Sequence, residues 1–439
     1  MKGAVTHPLS VETAGPVPQA LAEGLADALV VGLAEDPNDK PASLRPAVGT
    51  RADEAARAPS QGPGDDPVTQ ERHRRWCNVR RVLLVRLDNL GDVLMSTPAF
   101  AAVRETLPWA HLTLLAAPGT ESLRPHLDMV NEIVGFNAPW VKAGASVLDA
   151  EPPHMRGEAE RHLVRRLGRG HFDAAIIFTV CTQSALPAAL ICRMAGIPLV
   201  LAHVRERAYG LLSDEVPDAD VVGEGMRHEV KRQLDLVAHV GLRTQDDRLR
   251  FRVLPKDAKA MEQALQQAGL RPGQPYVLVH PGASAASRRY APEAFGAAAD
   301  LLLDDAAAGN TAIVFCAGAS EQPLIEAARG VMRGRSFVLP RPPSLGELAA
   351  LVAGARVLMA NNSGPVHLAA AVGTPVVDLY ALTNPQHTPW RVAARVLNHD
   401  VPCRNCQKSV CVQGHHDCLR LVAPGEVARA AKALMEEPA

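Results

Sequence analysis

The chain has 439 residues, enough for two domains of ordinary size, and its 47% hydrophobic and 21% charged residues read as soluble and globular. A formal net charge of −1 excludes a general attraction to nucleic acid, and 4% aromatic residues argue against a stacking platform for single strands. No apolar run is long enough to cross a bilayer, and the opening stretch lacks a signal peptide's unbroken apolar core because Pro16 and Asp27 interrupt it, so the sequence reads as that of a cytoplasmic protein.

Residues 1–75 are rich in Ala, Pro, Gly and Asp, as in "PNDKPASLRPAVGTRADEAARAPSQGPGDDPV", and cannot bury enough apolar surface to offset chain entropy. They are expected to form a disordered extension in which "PQALAEGLADALVVGLAED" is a transient helix. Order is expected from Trp76 onward. In 76–254, "RVLLVRL", "AHLTLLAAP", "NEIVGF", "FDAAIIFTV" and "IPLVLAHV" read as strands. They alternate with helical patterns in "GDVLMSTPAFAAVRETL", "RGEAERHLVRRLGRG", "QSALPAALICRMAG" and "HEVKRQLDLVAHVG". The pattern restarts in 255–439. A helix, "KDAKAMEQALQQAGL", precedes the strand "YVLVHPGAS" and the helix "APEAFGAAADLLLDDA". The strand "TAIVFCAG" and a further helix follow, then "SFVLP", "SLGELAALVAGA", "RVLMAN", "GPVHLAAAVG" and "PVVDLYA" as strand, helix, strand, helix, strand. Strands alternating with helices predict two doubly wound α/β domains with a cleft between the carboxyl edges of two parallel sheets.

Neither domain has G-x-G-x-x-G after its first strand, which counts against a nicotinamide-dependent dehydrogenase. In "RLDNLGDVLMSTPAF", Gly91 permits a tight path into a helix, and Asp88 and Asp92 lie beside its N-terminus, where the dipole favours a carboxylate. Asp92 is either a plain N-terminal cap or a general base at the mouth of the cleft. In "HPGASAASRRYAPEAF", small residues such as Ser284 would let an anionic ligand approach, and Arg288 and Arg289 offer forked donors for phosphate, unless they form only a solvated basic turn. In "ANNSGPVHLAAAVGTPVVDLYALTNP", a strand runs into Asn362, Ser363, Gly364 and Pro365, a helix N-terminus suited to phosphate. His367 is a donor-site candidate or a core histidine, and "LTNPQHTPW" is a polar loop after the next strand.

These three stretches, in this order, resemble glycosyltransferase family 9, the heptosyltransferase family, over roughly residues 79–436. The resemblance implies a GT-B fold, two Rossmann-like domains facing a cleft. It implies inverting transfer of heptose from ADP-heptose without a catalytic metal, onto a lipopolysaccharide core or another cell-surface glycan or glycolipid. It makes Asp92 the catalytic aspartate and Arg288 the cation on the donor phosphates, with Gly91, Ser284, Asn362, Ser363, Gly364 and His367 as donor-binding candidates. Asn362 stands where many members carry aspartate. Two alternatives remain: a protein heptosyltransferase of the autotransporter type, and a catalytically silent GT-B module for binding or assembly.

Cys77, Cys181, Cys192 and Cys316 are scattered and read as small apolar residues, whereas Cys403, Cys406, Cys411 and Cys418 cluster in "CRNCQKSVCVQGHHDC" beside His415 and His416. A C-x-x-C pair followed by two more cysteines predicts a structural tetrahedral thiolate site, with zinc as the default metal. Iron stays open, because some heptosyltransferases acting on autotransporter adhesins carry iron on cysteines. Free thiols or a redox pair are the plain alternatives. The basic stretches "ERHRRWCNVRR" and "RHLVRRLGRG" are solvated faces, or contacts with a phosphorylated lipid-A core or an anionic membrane surface, which would put the protein at the inner face of the inner membrane.

Overall fold

Strand β1 (Arg81–Arg86), "RVLLVR", is buried along nearly its whole length, as a strand covered on both faces must be. It is the centre of a parallel sheet ordered β3-β2-β1-β4-β5-β6, with β2 at His111–Ala116, β3 at Glu132–Gly135, β4 at Ala174–Ile177, β5 at Leu199–Val204 and β6 at Asp214–Pro217. A second parallel sheet, ordered β12-β11-β10-β7-β8-β9, contains β7 (Tyr276–His280), β8 (Ala312–Phe315), β9 (Ser336–Val338), β10 (Val357–Asn361), β11 (Val376–Leu379) and β12 (Ala394–Leu397). Each sheet thus has the doubly wound order 3-2-1-4-5-6, reversing direction beside its first strand. The computed structural model describes residues 66–141, 157–220, 223, 225–305, 309–381 and 386–437, and these residues form one compact unit. The expected helix within 1–75 and the "LTNP" of the polar loop lie outside the described residues.

Two edge strands escaped the sequence reading. β6 ("DEVP") and β12 ("ARVL") pair on one side only and lack the continuous apolar run of the inner strands. The helix Pro67–Trp76 also begins ahead of the onset of order expected at Trp76. Asp66 starts it by accepting the Thr69 N–H at 3.1 Å. Trp76, fully buried, ends it and donates its indole N–H to Asp214 at 3.0 Å. Arg72 and Arg75 pair with the same carboxylate at 3.3 and 3.2 Å. Part of the basic stretch "ERHRRW" therefore fastens a helix to β6, a role composition cannot reveal.

The helix Leu90–Thr106 is buried on nearly every side. It packs on the helix Glu229–Ala238 of its own half and on the helix Gly364–Val372 of the other. Pro98 lies inside it and removes one backbone donor. The Leu94 carbonyl that this donor would have met accepts the Thr97 hydroxyl at 2.6 Å. The same Thr97 oxygen accepts the Arg250 N–H at 3.0 Å, tying the helix to the segment that leads into the second half.

Trp76→Ala is expected to cost about 3–5 kcal/mol of stability, the usual loss for a buried tryptophan. Urea denaturation gives the number, and hydrogen exchange over 67–76 should rise towards that of an open chain. Unchanged exchange there would show that the indole does not anchor the helix.

Candidate active site

Ligands of doubly wound sheets bind beyond the carboxyl ends of the strands, where the strand order reverses. In this chain the reversal lies between β1 and β4 in one sheet and between β7 and β10 in the other. The segments leaving β1, β7 and β10 meet around one cavity of about 330 Å³. Asn89, Leu90, Gly91 and Asp92 line it from the first half, and His280, Gly282, Ala283, Ser284 and Arg288 from the segment after β7. Glu321, Asn362, Ser363, Gly364, Pro365, His367 and His387 complete it. A larger hollow of about 1040 Å³ is lined by Arg248, Arg356 and Gly373. Arg356 precedes β10, so that hollow lies at the amino ends of the strands, and volume alone does not mark the site.

Asp92 sits in the first turn of the helix Leu90–Thr106. Its Oδ2 accepts the Asn89 N–H at 3.1 Å, while its Oδ1 lies 3.4 Å from Nη2 of Arg86. The capping role and an outward-facing carboxylate are thus combined in one side chain, which keeps 9% exposure onto the cavity. Arg86, at the end of β1, has no solvent exposure. Its Nε lies 3.0 Å from Asp88 and its Nη1 lies 2.9 Å from Glu229. One buried cation therefore orients three carboxylates. Burial raises the Asp88 carboxyl above its ordinary value, and the negative charge of Asp92 adds to that against the pull of Arg86. Burial would raise Glu229 too, but Arg86 and Arg232 together outweigh it and hold Glu229 below the usual range.

The second half approaches Asp92 through His367. A Cβ at Gly91 would stand 2.7 Å from Cδ2 of His367, so glycine is needed for the two helices to meet. His367 is buried and its pKa is pushed down to about 3, by burial first and then by the neighbouring His387, His228 and Arg288. It is therefore a neutral imidazole, and its Nδ1 has no hydrogen-bond partner among the described residues.

Arg288 ends a one-turn 3-10 helix, Ala286–Arg288, and its Nη2 donates to the Ser284 hydroxyl at 3.0 Å. Arg289 turns back, donating Nε–H to the Ala283 carbonyl at 2.7 Å. The helix Gly364–Val372 presents its N-terminus to the cavity, and the Ser363 hydroxyl bonds to the Asn361 carbonyl rather than capping it. Asn362 does not face the cavity alone. Its amide donates to Asp378 at 2.9 Å and to the His387 carbonyl at 2.8 Å. Burial pushes the fully enclosed Asp378 carboxyl up to about 7, against the pull of that amide. An aspartate at 362 would bury a second carboxylate against the first, which gives asparagine a physical reason at this position.

The clustered cysteines do not assemble the expected metal centre. Cys403, Cys406, Cys411 and Cys418 form no disulfide and are half-buried, and among the described residues no group of three or more His, Cys, Asp or Glu side chains is arranged to hold a metal ion. Cys403 Sγ instead lies 3.7 Å from Nε2 of His415, and His416 donates to the Ser287 carbonyl at 2.6 Å. The histidines of the loop are thus engaged in fastening it.

The sequence reading missed Arg86, Glu229, His280 and Glu321. An arginine ending an otherwise apolar strand was the available sign for Arg86. Glu321 follows β8, and its carboxylate occupies the space a side chain at Gly282 would need, 2.2 Å from the ideal Cβ. Nothing local in "HEVKRQ" marks Glu229 as the partner of a residue on β1.

Residues 160–416, more than half of the chain, match the model of glycosyltransferase family 9 (heptosyltransferase). The chain belongs to that family and is a glycosyltransferase of the GT-B fold. It is 24% identical over 304 residues to lipopolysaccharide heptosyltransferase 3 of Escherichia coli, covering 69% of this chain and 83% of that protein. The solved family 9 glycosyl transferase of Veillonella parvula superposes with a TM-score of 0.67 at 19% identity, over 82% of this chain and 98% of the other. E. coli ADP-heptose LPS heptosyltransferase II superposes at 0.61 with 22% identity, over 81% and 98%. At these identities the two structures share the fold. Among the described residues no helix is long and apolar enough to cross a membrane.

Asp378 generates a pH test. The folded state holds its proton up to about pH 7, whereas an unfolded aspartate releases it near ~3.9. The native state therefore binds more protons between these values, and stability falls as pH rises through that window. His367 contributes with the opposite sign, so the comparison must be made within one background. Asp378→Asn is expected to flatten the fall when urea midpoints are followed from about pH 4 to 7.5. Parallel profiles for the two proteins would remove Asp378 as the source.

Proposed function

We propose that the protein is an inverting glycosyltransferase that moves a heptose from ADP-heptose to a hydroxyl of a lipopolysaccharide core acceptor. The observation that carries this reading is the single cavity lined by Asp92 from one half and by Arg288 and a helix N-terminus from the other. Family membership supports the class of reaction, and the relatives named above support the sugar, the nucleotide and the acceptor.

In this mechanism the acceptor oxygen attacks the anomeric carbon on the face opposite the diphosphate. Its proton passes to the Asp92 carboxylate as the new C–O bond forms and the bond to the diphosphate breaks. Arg86 and the Asn89 N–H fix the carboxylate, so it need not reorient as the proton arrives. The departing ADP gains negative charge, which Arg288 and the N-terminus of the helix Gly364–Val372 stabilise. Neutral His367, between the two, adds no charge that would compete with Arg288 for the diphosphate. The donor contacts fall to Gly91, Ser284, Asn362, Ser363, Gly364 and His367, with Asn362 held by Asp378. A lipid-borne acceptor places the reaction at the inner face of the inner membrane. The exposed Arg161, Arg165, Arg166 and Arg169 on the helix Glu158–Arg169 are the surface this reading assigns to that contact.

Asp92→Asn should lower kcat with ADP-heptose by about 10²- to 10⁴-fold, the usual worth of a general base, with ADP affinity little changed. Near-normal turnover would end the assignment. Arg288→Ala should reduce turnover more than it weakens ADP binding, and Arg288→Lys should restore part, because lysine keeps the charge without the fork. Arg289→Ala should be silent, since its guanidinium is bound within its own loop. If Arg289 proves the damaging site and Arg288 does not, the phosphate cation has been misassigned.

A further inference from the structure

We propose that the cysteine-bearing loop 403–418 is a positioning clip for the phosphate-facing turn, with Ser287 and His416 as the positioning residues that hold Arg288 at the cavity. The inference rests on the reading of Arg288 as the cation that meets the departing diphosphate.

Arg288 lies on a 3-10 turn of three residues, Ala286–Arg288, whose own bonds are Arg288 N–H to Ala285 O at 3.0 Å and Arg289 N–H to Ala286 O at 3.1 Å. So short a turn does not hold itself in place. Its far end is fastened where Tyr290 donates its N–H to the Asn361 side chain at 2.8 Å. Between them stands Ser287, buried, with every polar group engaged by the loop. Its N–H donates to the Ser409 carbonyl at 3.0 Å, its hydroxyl to the Lys408 carbonyl at 2.6 Å, and its carbonyl accepts Nε2–H of His416 at 2.6 Å. These bonds join two stretches more than 120 residues apart in the chain and fix the height of the residue next to Arg288.

The other side of the clip is itself anchored. His416 has a left-handed backbone, φ 55°, uncommon for a residue other than glycine. Its neighbour His415 accepts the Asp417 N–H on Nδ1 at 2.9 Å and faces Cys403 Sγ through Nε2. The turn that follows is seated by fully buried Leu419, and the Cys418 carbonyl accepts the His399 N–H at 2.8 Å. Cys403 thereby links the cysteine cluster to the position of Arg288, through His415 and His416.

The test compares His416→Leu, His416→Gln and Ser287→Ala with the unaltered protein, by hydrogen exchange over 284–290 and by steady-state kinetics with ADP-heptose. Glutamine can still donate near the Nε2 position, so its variant separates the lost bond from a folding defect. His416→Leu and Ser287→Ala should speed exchange at Ser287, Arg288 and Arg289 and lower kcat about tenfold or more, the scale of a small misplacement of a positioned group. KM should move less than kcat, and His416→Gln should recover most of the rate. In an Arg288→Ala background, His416→Leu should have little further effect, because the two act through one group. Unchanged exchange in both variants, or a fall in kcat as large without Arg288 as with it, would overturn the proposal. If exchange rises as expected but Arg288→Ala leaves turnover intact, the fastening is supported and the phosphate role of Arg288 is what fails.

Discussion

A single guanidinium organises the first half of the site. Arg86 stands at the end of the central strand β1 with no access to solvent, and a buried charge persists only if it is paired and hydrogen-bonded. Asp88, Asp92 and Glu229 supply the pairs from the strand's own continuation, from the helix Leu90–Thr106 and from the last helix of the half. The arginine therefore fixes the approach of two helices to a strand while it orients the carboxylate that faces the cavity. Glu229 extends the arrangement across the molecule, because its N–H donates to the Gln386 carbonyl of the second half at 3.1 Å. Arg232, also buried, takes the next position, bound to Asp218 at 2.7 Å.

The two halves share one topology and divide the chemistry between them. The first brings negative charge, concentrated around Arg86. The second brings a helix N-terminus and Arg288. They meet where Gly91 lets the His367 ring lie against the first turn of the helix Leu90–Thr106. The same burial that brings the imidazole there keeps it neutral. At the other contact between the halves His228 is likewise pushed down to about 4 by burial, and it donates Nε2–H to the Thr388 carbonyl at 2.8 Å. Uncharged histidines at both contacts let the halves approach without adding cations beside Arg288.

The cavity wall at Asn362 is held from behind by a buried carboxyl group. Asn362, standing where an acidic residue is usual in the resembling segment, is matched by Asp378 one strand away. The Asp378 carboxyl lies behind the cavity wall, where burial suppresses its charge. The cysteine-bearing loop is bound to the site through Ser287 rather than through the cavity itself.

The sequence by itself determined the alternation of strands and helices, the presence of two doubly wound halves, and the three glycine- and polar-rich segments that surround the cavity. These were legible because they depend on local pattern: continuous apolar runs for strands covered on both faces, and small residues at strand-to-helix turns. Asp92, Arg288 and the 362–364 turn could be named for the same reason. Tertiary structure alone decided that Arg86 and Glu229, 143 residues apart, form one ion pair, that Trp76 gives the preceding basic stretch a place against β6, and that Glu321 shares the cavity. It also decided that the cysteine-bearing loop grips Ser287. Spacing along a chain fixes which side chains share a helix face or a strand edge. It carries no information on which buried charge will find which partner, because that depends on how separate elements are brought together and on what must be neutralised once water is excluded.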